Sequence, residues 1–119
     1  LKIVAKIKLF TYKAQLIKVI DGDTLDVLID LGFNISVKKR IRLFGIDTPE
    51  IRTKDLIEKE KGLIVKNRLI EILSKSNNEF FIISHGVGKY GRCLGELFID
   101  DKSINKQLIS EGLAKEYNK

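Results

Sequence analysis

Asp21-Gly22-Asp23-Thr24 and Arg42-Leu43-Phe44-Gly45-Ile46-Asp47-Thr48-Pro49-Glu50 place four carboxylates and one arginine at the expected ends of β-strands. Lys89-Tyr90-Gly91-Arg92 adds a second arginine beside a lysine and an aromatic ring. Carboxylate oxygens suit a hard divalent cation, which leaves coordination positions for water and for a substrate phosphate. The planar fork of a guanidinium suits the phosphate itself. Together they point to metal-assisted chemistry on a phosphodiester.

Each motif also has a plain reading. Asp-Gly-Asp-Thr is an ordinary turn sequence, and Asp47-Thr48-Pro49-Glu50 suits a loop with a capping Asp and a solvated Glu. Arg42 and Arg92, taken alone, are surface charges. Lys38, Lys39, Arg40, Arg52 and Lys54 read as steering charges, and Asp26 and Asp30 as solvent-facing residues. The chemical reading requires strand ends that lie side by side, so that two of these carboxylates converge and a backbone carbonyl completes part of a metal shell.

The elements that would position these groups are legible in the periodicity. Residues 13–20 and Thr24–Asp30 alternate as strands around Gly22, which is expected to let the chain turn sharply. Gly32 marks a turn, and a third strand runs from about Ile35 to Phe44, ending before Pro49. From about Leu56 to Lys75 the period becomes helical, with Leu63, Ile70 and Leu73 on one side and Val65, Leu69 and Ile72 beside them. Phe80–Ile83 is a short strand, His85–Gly88 a flexible loop, and Cys93–Ile99 another strand. Asp100-Asp101-Lys102 is a turn, Ser103 caps a helix over about 104–111, and Gly112 ends it. Leu1–Leu9 is expected to be an additional strand or an N-terminal extension. Three strands, a helix, two strands and a helix fit an α+β, mainly β fold: a five-stranded OB-type barrel with two helices packed against it.

Composition sets the outer limits. The chain has 119 residues, read as a single domain, and carries a net charge of +6. A basic surface favours polyanions, which makes nucleic acid the first partner to consider. Cys93 is the only cysteine, which excludes an internal disulfide and favours a structural thiol. Together with His85, it falls short of the roughly four ligands of a structural zinc site. No apolar run approaches the roughly 20 residues of a membrane-spanning helix. There is no signal-like segment and the chain starts at Leu1, which leaves secreted and cytoplasmic locations both open. Nothing indicates an obligate dimer, so a monomer is expected.

Val19-Ile20-Asp21-Gly22-Asp23-Thr24, the segment Arg42–Glu50, Lys89–Arg92 and Asn105 followed by Glu111-Gly112-Leu113-Ala114-Lys115 together resemble the staphylococcal nuclease family. Four motifs in unbroken order over residues 13–115 make the resemblance specific. It implies an OB barrel that hydrolyses phosphodiester bonds in DNA and RNA with one Ca²⁺ ion and leaves 3′-phosphates. It further implies Asp23, Asp47 and the Thr48 carbonyl as metal ligands, with Asp21 in the outer shell. Glu50 would orient or deprotonate the attacking water, while Arg42 and Arg92 would hold the scissile phosphate. Lys89 and Tyr90 would contact the nucleotide's terminal phosphate, and Tyr117 stands where the family carries base-stacking tyrosines.

The chain departs from that pattern in four places. Its first long hairpin is longer, and Gly88 stands where an acidic residue often precedes Lys-Tyr-Gly-Arg. The basic loop after Glu50 is rewritten, and the chain stops soon after Tyr117. The alternative is a non-catalytic OB module that only binds nucleic acid. Such a module is expected to have lost acidic or arginine positions, whereas Asp23, Arg42, Asp47, Glu50 and Arg92 are all present.

Overall fold

The computed structural model describes residues 8–117. Most of the anticipated N-terminal extension, residues 1–7, lies outside them. The described chain forms β1 (Thr11–Asp21), β2 (Thr24–Gly32), β3 (Ile35–Leu43), β4 (Ile46–Asp47), α1 (Leu56–Ser74), β5 (Glu79–Val87), β6 (Cys93–Ile99), β7 (Lys102–Ser103), α2 (Ile104–Ser110) and β8 (Lys115–Glu116). Strands pair in the order β3-β2-β1-β5-β6, and a parallel β3–β6 contact closes the five into a barrel. The α+β barrel with two helices read from the sequence is therefore the fold. No helix among the described residues is long and apolar enough to cross a membrane.

Local chemistry explains the strand pattern. In β1 the inward positions Ala14 and Val19 have opposite parity, because a register shift between Leu16 and Lys18 inserts Ile17 as an exposed extra residue. The shift bends the strand, as barrel closure requires. Closure also needs a residue without a side chain on β6. A Cβ on Gly95 would lie 2.8 Å from Ile82 Cδ1 and 2.9 Å from Ile41 Cγ2. The interior is filled by Leu25, Val27, Leu43 and Leu97 from the barrel, with Leu69, Leu73, Ile104 and Leu108 from the helices.

Two expectations need correction. The buried face of α1 consists of Gly62, Val65, Leu69, Ile72 and Leu73, whereas Leu63 and Ile70 are exposed. Gly62 sets this face, since a Cβ there would lie 2.8 Å from the Pro49 carbonyl oxygen, and only a glycine lets the helix lie this close to the 49–51 segment. The His85–Gly88 segment is mostly strand. β5 runs on to Val87, opposite Cys93, with a bulge after Ser84 where Gly86 takes φ +89°.

Caps and clamps hold the helices in place. Asp55 accepts from the Ile57 and Glu58 N–H groups at the start of α1, and Ser103 from Lys106 N–H at the start of α2. Arg68 on α1 grips Glu111 beyond α2 through two 2.8 Å hydrogen bonds, and this holds the Glu111 carboxyl down at about 2.

The buried Asn105 ties the barrel end together. Its Oδ1 accepts from Leu97 N–H at 3.1 Å, and its Nδ2 donates to the carbonyls of Phe44 at 2.9 Å and Gly95 at 3.1 Å. Asn105→Ala leaves these groups without their partner. It is expected to lower unfolding free energy by about 2 kcal/mol or more in urea titration, and an unchanged midpoint would remove this role.

Candidate active site

The site begins with strand register. β2 and β3 pair so that Arg42 faces Thr24, and Leu43 N–H donates to the Asp23 carbonyl at 2.8 Å. This fixes Arg42 beside the β1–β2 turn. After Leu43 the chain reverses through Gly45, at φ +78°, and β4 brings Asp47 back towards the same arginine. Arg42 thereby bridges both acids, with Nη1 3.1 Å from Asp23 Oδ2 and Nη2 3.4 Å from Asp47 Oδ1. The Asp23 carboxylate also accepts from Thr48 N–H at 3.3 Å and from Thr24 Oγ1 at 3.1 Å. Asp21 accepts from Asp23 N–H at 3.1 Å.

Gly22 serves a different purpose from the one its turn sequence implied. It has no positive φ, and a Cβ there would lie 2.6 Å from Val65 Cγ1 and 3.0 Å from Thr48 Oγ1. The glycine is needed for space: α1 and the Thr48 loop press directly on the turn that carries Asp21 and Asp23.

The remaining predicted residues lie on segments next to these strands. Glu50 is exposed and lines a cleft of about 500 Å³ together with Asp47, Thr48, Glu58, Lys61 and Lys115. Asp47 belongs to both the cleft and the Arg42 bridge. Arg92, also exposed, precedes Cys93, which pairs with Ile41 at the same end of the barrel as Arg42. Its guanidinium lies 5.9 Å from the Tyr90 ring centroid, and Tyr90 is itself 92% exposed at φ 62°. Lys89 opens the short 3₁₀ turn that holds Tyr90. Tyr117 follows β8, and its N–H donates to the Gly45 carbonyl at 2.8 Å. Arg40 binds Asp26 across the β2–β3 pair at 2.8 Å. A second hollow of about 440 Å³, lined by Lys13, Asp30, Phe81 and Phe98 among others, contains none of the predicted site residues.

Electrostatics single out Asp23. Its carboxyl is pushed up to about 6, chiefly by burial and next by Asp21, against the pull of Arg42 and Thr48. The fold therefore keeps a carboxylate where its charge is poorly solvated. No three carboxylate, histidine or cysteine side chains gather closely enough to hold a metal by themselves among the described residues. The donor set is nonetheless all oxygen, and an under-compensated carboxylate is what a hard cation relieves.

Several contacts escaped the sequence reading. Phe44 and His85 stack on the outer face, Glu96 holds His85, and Ser103 in turn donates to Glu96. The available signal was position, since Phe44 lies two residues from Arg42 on an alternating strand. Cys93 packs against the core, which agrees with its reading as a structural thiol.

A family model described as staphylococcal nuclease homologue matches residues 40–119. The chain belongs to the staphylococcal nuclease family. A thermonuclease of Staphylococcus intermedius is 32% identical over 98 residues, covering 82% of this chain and 55% of the relative. The Bacillus subtilis endonuclease YncB is 30% identical over 99 residues, covering 82% of this chain and 44% of the relative. A probable staphylococcal-like nuclease of Oryza sativa subsp. japonica is 28% identical over 83 residues, or 70% of this chain and 23% of the relative. The chain thus spans about half the length, or less, of the relatives it matches. The staphylococcal nuclease match contains Arg42, Asp47, Thr48, Glu50, Lys89, Tyr90, Arg92 and Tyr117, and it begins after Asp21 and Asp23.

The raised Asp23 carboxyl fixes the sign of a pH effect. A group that holds its proton more tightly when folded stabilises the fold fully below its unfolded value, here 3.8, and loses that contribution as pH rises through about 6. In EDTA, Asp23→Asn is expected to gain up to about 3 kcal/mol over the native chain at pH 7.5, and little near pH 4. Urea titrations at the two pH values measure this, and an identical offset at both would refute it.

Proposed function

We propose that the chain is a single-domain, monomeric, Ca²⁺-dependent nuclease that hydrolyses phosphodiester bonds in DNA and RNA and leaves 3′-phosphates. The observation that carries this reading is the Arg42 bridge, which ties Asp23 and Asp47 into one cluster at neighbouring strand ends. Membership of a family whose relatives include a thermonuclease and an endonuclease supports it, as does the net charge of +6.

Asp23, Asp47 and the Thr48 carbonyl would hold the ion, with Asp21 in the outer shell. The ion, when bound, supplies positive charge beside the substrate phosphate. A phosphodiester is anionic and repels an anionic nucleophile, so charge neutralisation and positioning matter more than a strong base. Arg42 exchanges its carboxylate partners for the phosphate oxygens, and Arg92 approaches from the neighbouring strand. Both guanidiniums stabilise the charge that builds on the five-coordinate phosphorus. Glu50, on the exposed loop after Asp47, orients the attacking water and accepts its proton. Lys89 and Tyr90 sit beside Arg92 at the nucleotide's terminal phosphate, and Tyr117 lies along the base.

Digestion of single-stranded DNA, plasmid and RNA with Ca²⁺, Mg²⁺ or EDTA tests this reading. Cleavage is expected with Ca²⁺ and lost in EDTA. Arg42→Ala and Arg92→Ala are each expected to lower kcat by about two to three decades, and Glu50→Ser to lower it markedly. Full-rate cleavage in EDTA would remove the metal from the mechanism, and undiminished cleavage by both arginine variants would remove the site.

A further inference from the structure

The outer face of the barrel carries an aromatic pair that the core does not use. The Phe44 and His85 rings stack with centroids 4.0 Å apart and planes within 2°. Ile41 and Leu43 are buried while Arg42 and Phe44 are not, so Arg42 and Phe44 share the outer face. Phe44 remains 42% exposed, so its ring forgoes much of the gain that burial would bring.

The pair is nevertheless held in place. Phe44 N–H donates to the Gly95 carbonyl at 2.8 Å, and the Phe44 carbonyl accepts from Asn105 Nδ2 at 2.9 Å. His85 Nε2 lies 3.3 Å from Glu96 Oε1, and Ser103 Oγ donates to Glu96 Oε2 at 2.5 Å. A chain of contacts running Ser103, Glu96, His85, Phe44 thus fixes a partly exposed π surface next to an arginine.

We infer that the Phe44–His85 stack is a subsite for one nucleobase of single-stranded DNA or RNA, adjoining the phosphate on Arg42. The inference rests on the nuclease reading and extends it to strand form. Phe44 follows directly on β3, one residue beyond its end and two from Arg42, so a phosphate on Arg42 and a base on Phe44 belong to neighbouring parts of one polynucleotide. Every base has a π face, so stacking selects unpaired strands without selecting sequence. Glu96 adds discrimination: its carboxylate repels a phosphate placed over the stack but accepts an uncharged base there.

The chain contains no tryptophan, so Phe44→Trp introduces a single fluorescent reporter at the subsite. The probe is oligodeoxythymidylate, titrated in excess EDTA and again with Ca²⁺ in a Glu50→Gln background. Anisotropy of a dye-labelled copy reports binding independently. Tryptophan quenching is expected on binding. Phe44→Ala and His85→Ala should each weaken single-strand affinity about tenfold and leave duplex affinity unchanged. If Phe44→Trp does not fold, His85→Trp carries the same reporter. Binding without quenching, or equal losses for single strand and duplex, overturns the subsite and leaves the nuclease reading intact. No binding under either condition overturns both.

Discussion

The Asn105 side chain, 2% exposed, holds three backbone groups on two stretches of chain: Phe44 at the end of β3, and Gly95 and Leu97 on β6. These two stretches carry Arg42 and Arg92, and their parallel contact closes the barrel. A parallel pair cannot be joined by a tight turn, so its partners must be brought together by something else. Here a buried amide does so, with each of its polar atoms satisfied. Gly95 is its counterpart, allowing Ile41 and Ile82 to meet where a methyl group would separate them. The alignment of β3, which carries Arg42, with β6, which follows Arg92, rests on this closure.

The acids at that end have a different energetic character from the rest of the surface. Arg40 with Asp26 and Arg68 with Glu111 are matched pairs near water, and the carboxyl of each is held low. Asp23 has an arginine too, yet its carboxyl is raised, because burial and Asp21 outweigh Arg42. The difference lies in how the neighbours press on the turn. Gly22 lets Val65 and Thr48 lie against it, and the packing that shields Asp23 from water also brings Thr48 N–H to its carboxylate. Stability and charge placement conflict here, which is common where a fold holds chemical groups ready.

Periodicity and turn residues revealed the five barrel strands, α1, the turn at Asp100-Asp101 and the Ser103 cap, because each follows from local alternation or turn chemistry. Lys102, read as part of the turn, instead opens β7 by pairing with Ile99. Periodicity could not give the α1 face, since Leu63, Ile70, Val65 and Leu69 are equally apolar and only the Gly62 approach to Pro49 chooses among them. It could not show that β5 continues past Ile83, because His85 and Gly86 look like loop residues and become strand only through pairing with β6. Asp23, Arg42 and Asp47 were legible as candidates, and their convergence on one guanidinium is a tertiary fact. The two-residue strand β8 carries too little sequence to leave a periodic signal.

That small strand has a consequence for the order of events during synthesis. Asp47 pairs with Lys115, and Gly45 binds the backbone of Tyr117. A growing chain exposes its N-terminal part first, so the loop bearing Asp47 exists long before the residues that anchor it. Asp23 and Arg42 can meet within the first hairpins, whereas the second acid takes its fixed place only after residues 115–117 arrive. The strand contact that seats Asp47 is thereby available only once residues 115–117, 68 or more positions further along the chain, have been made.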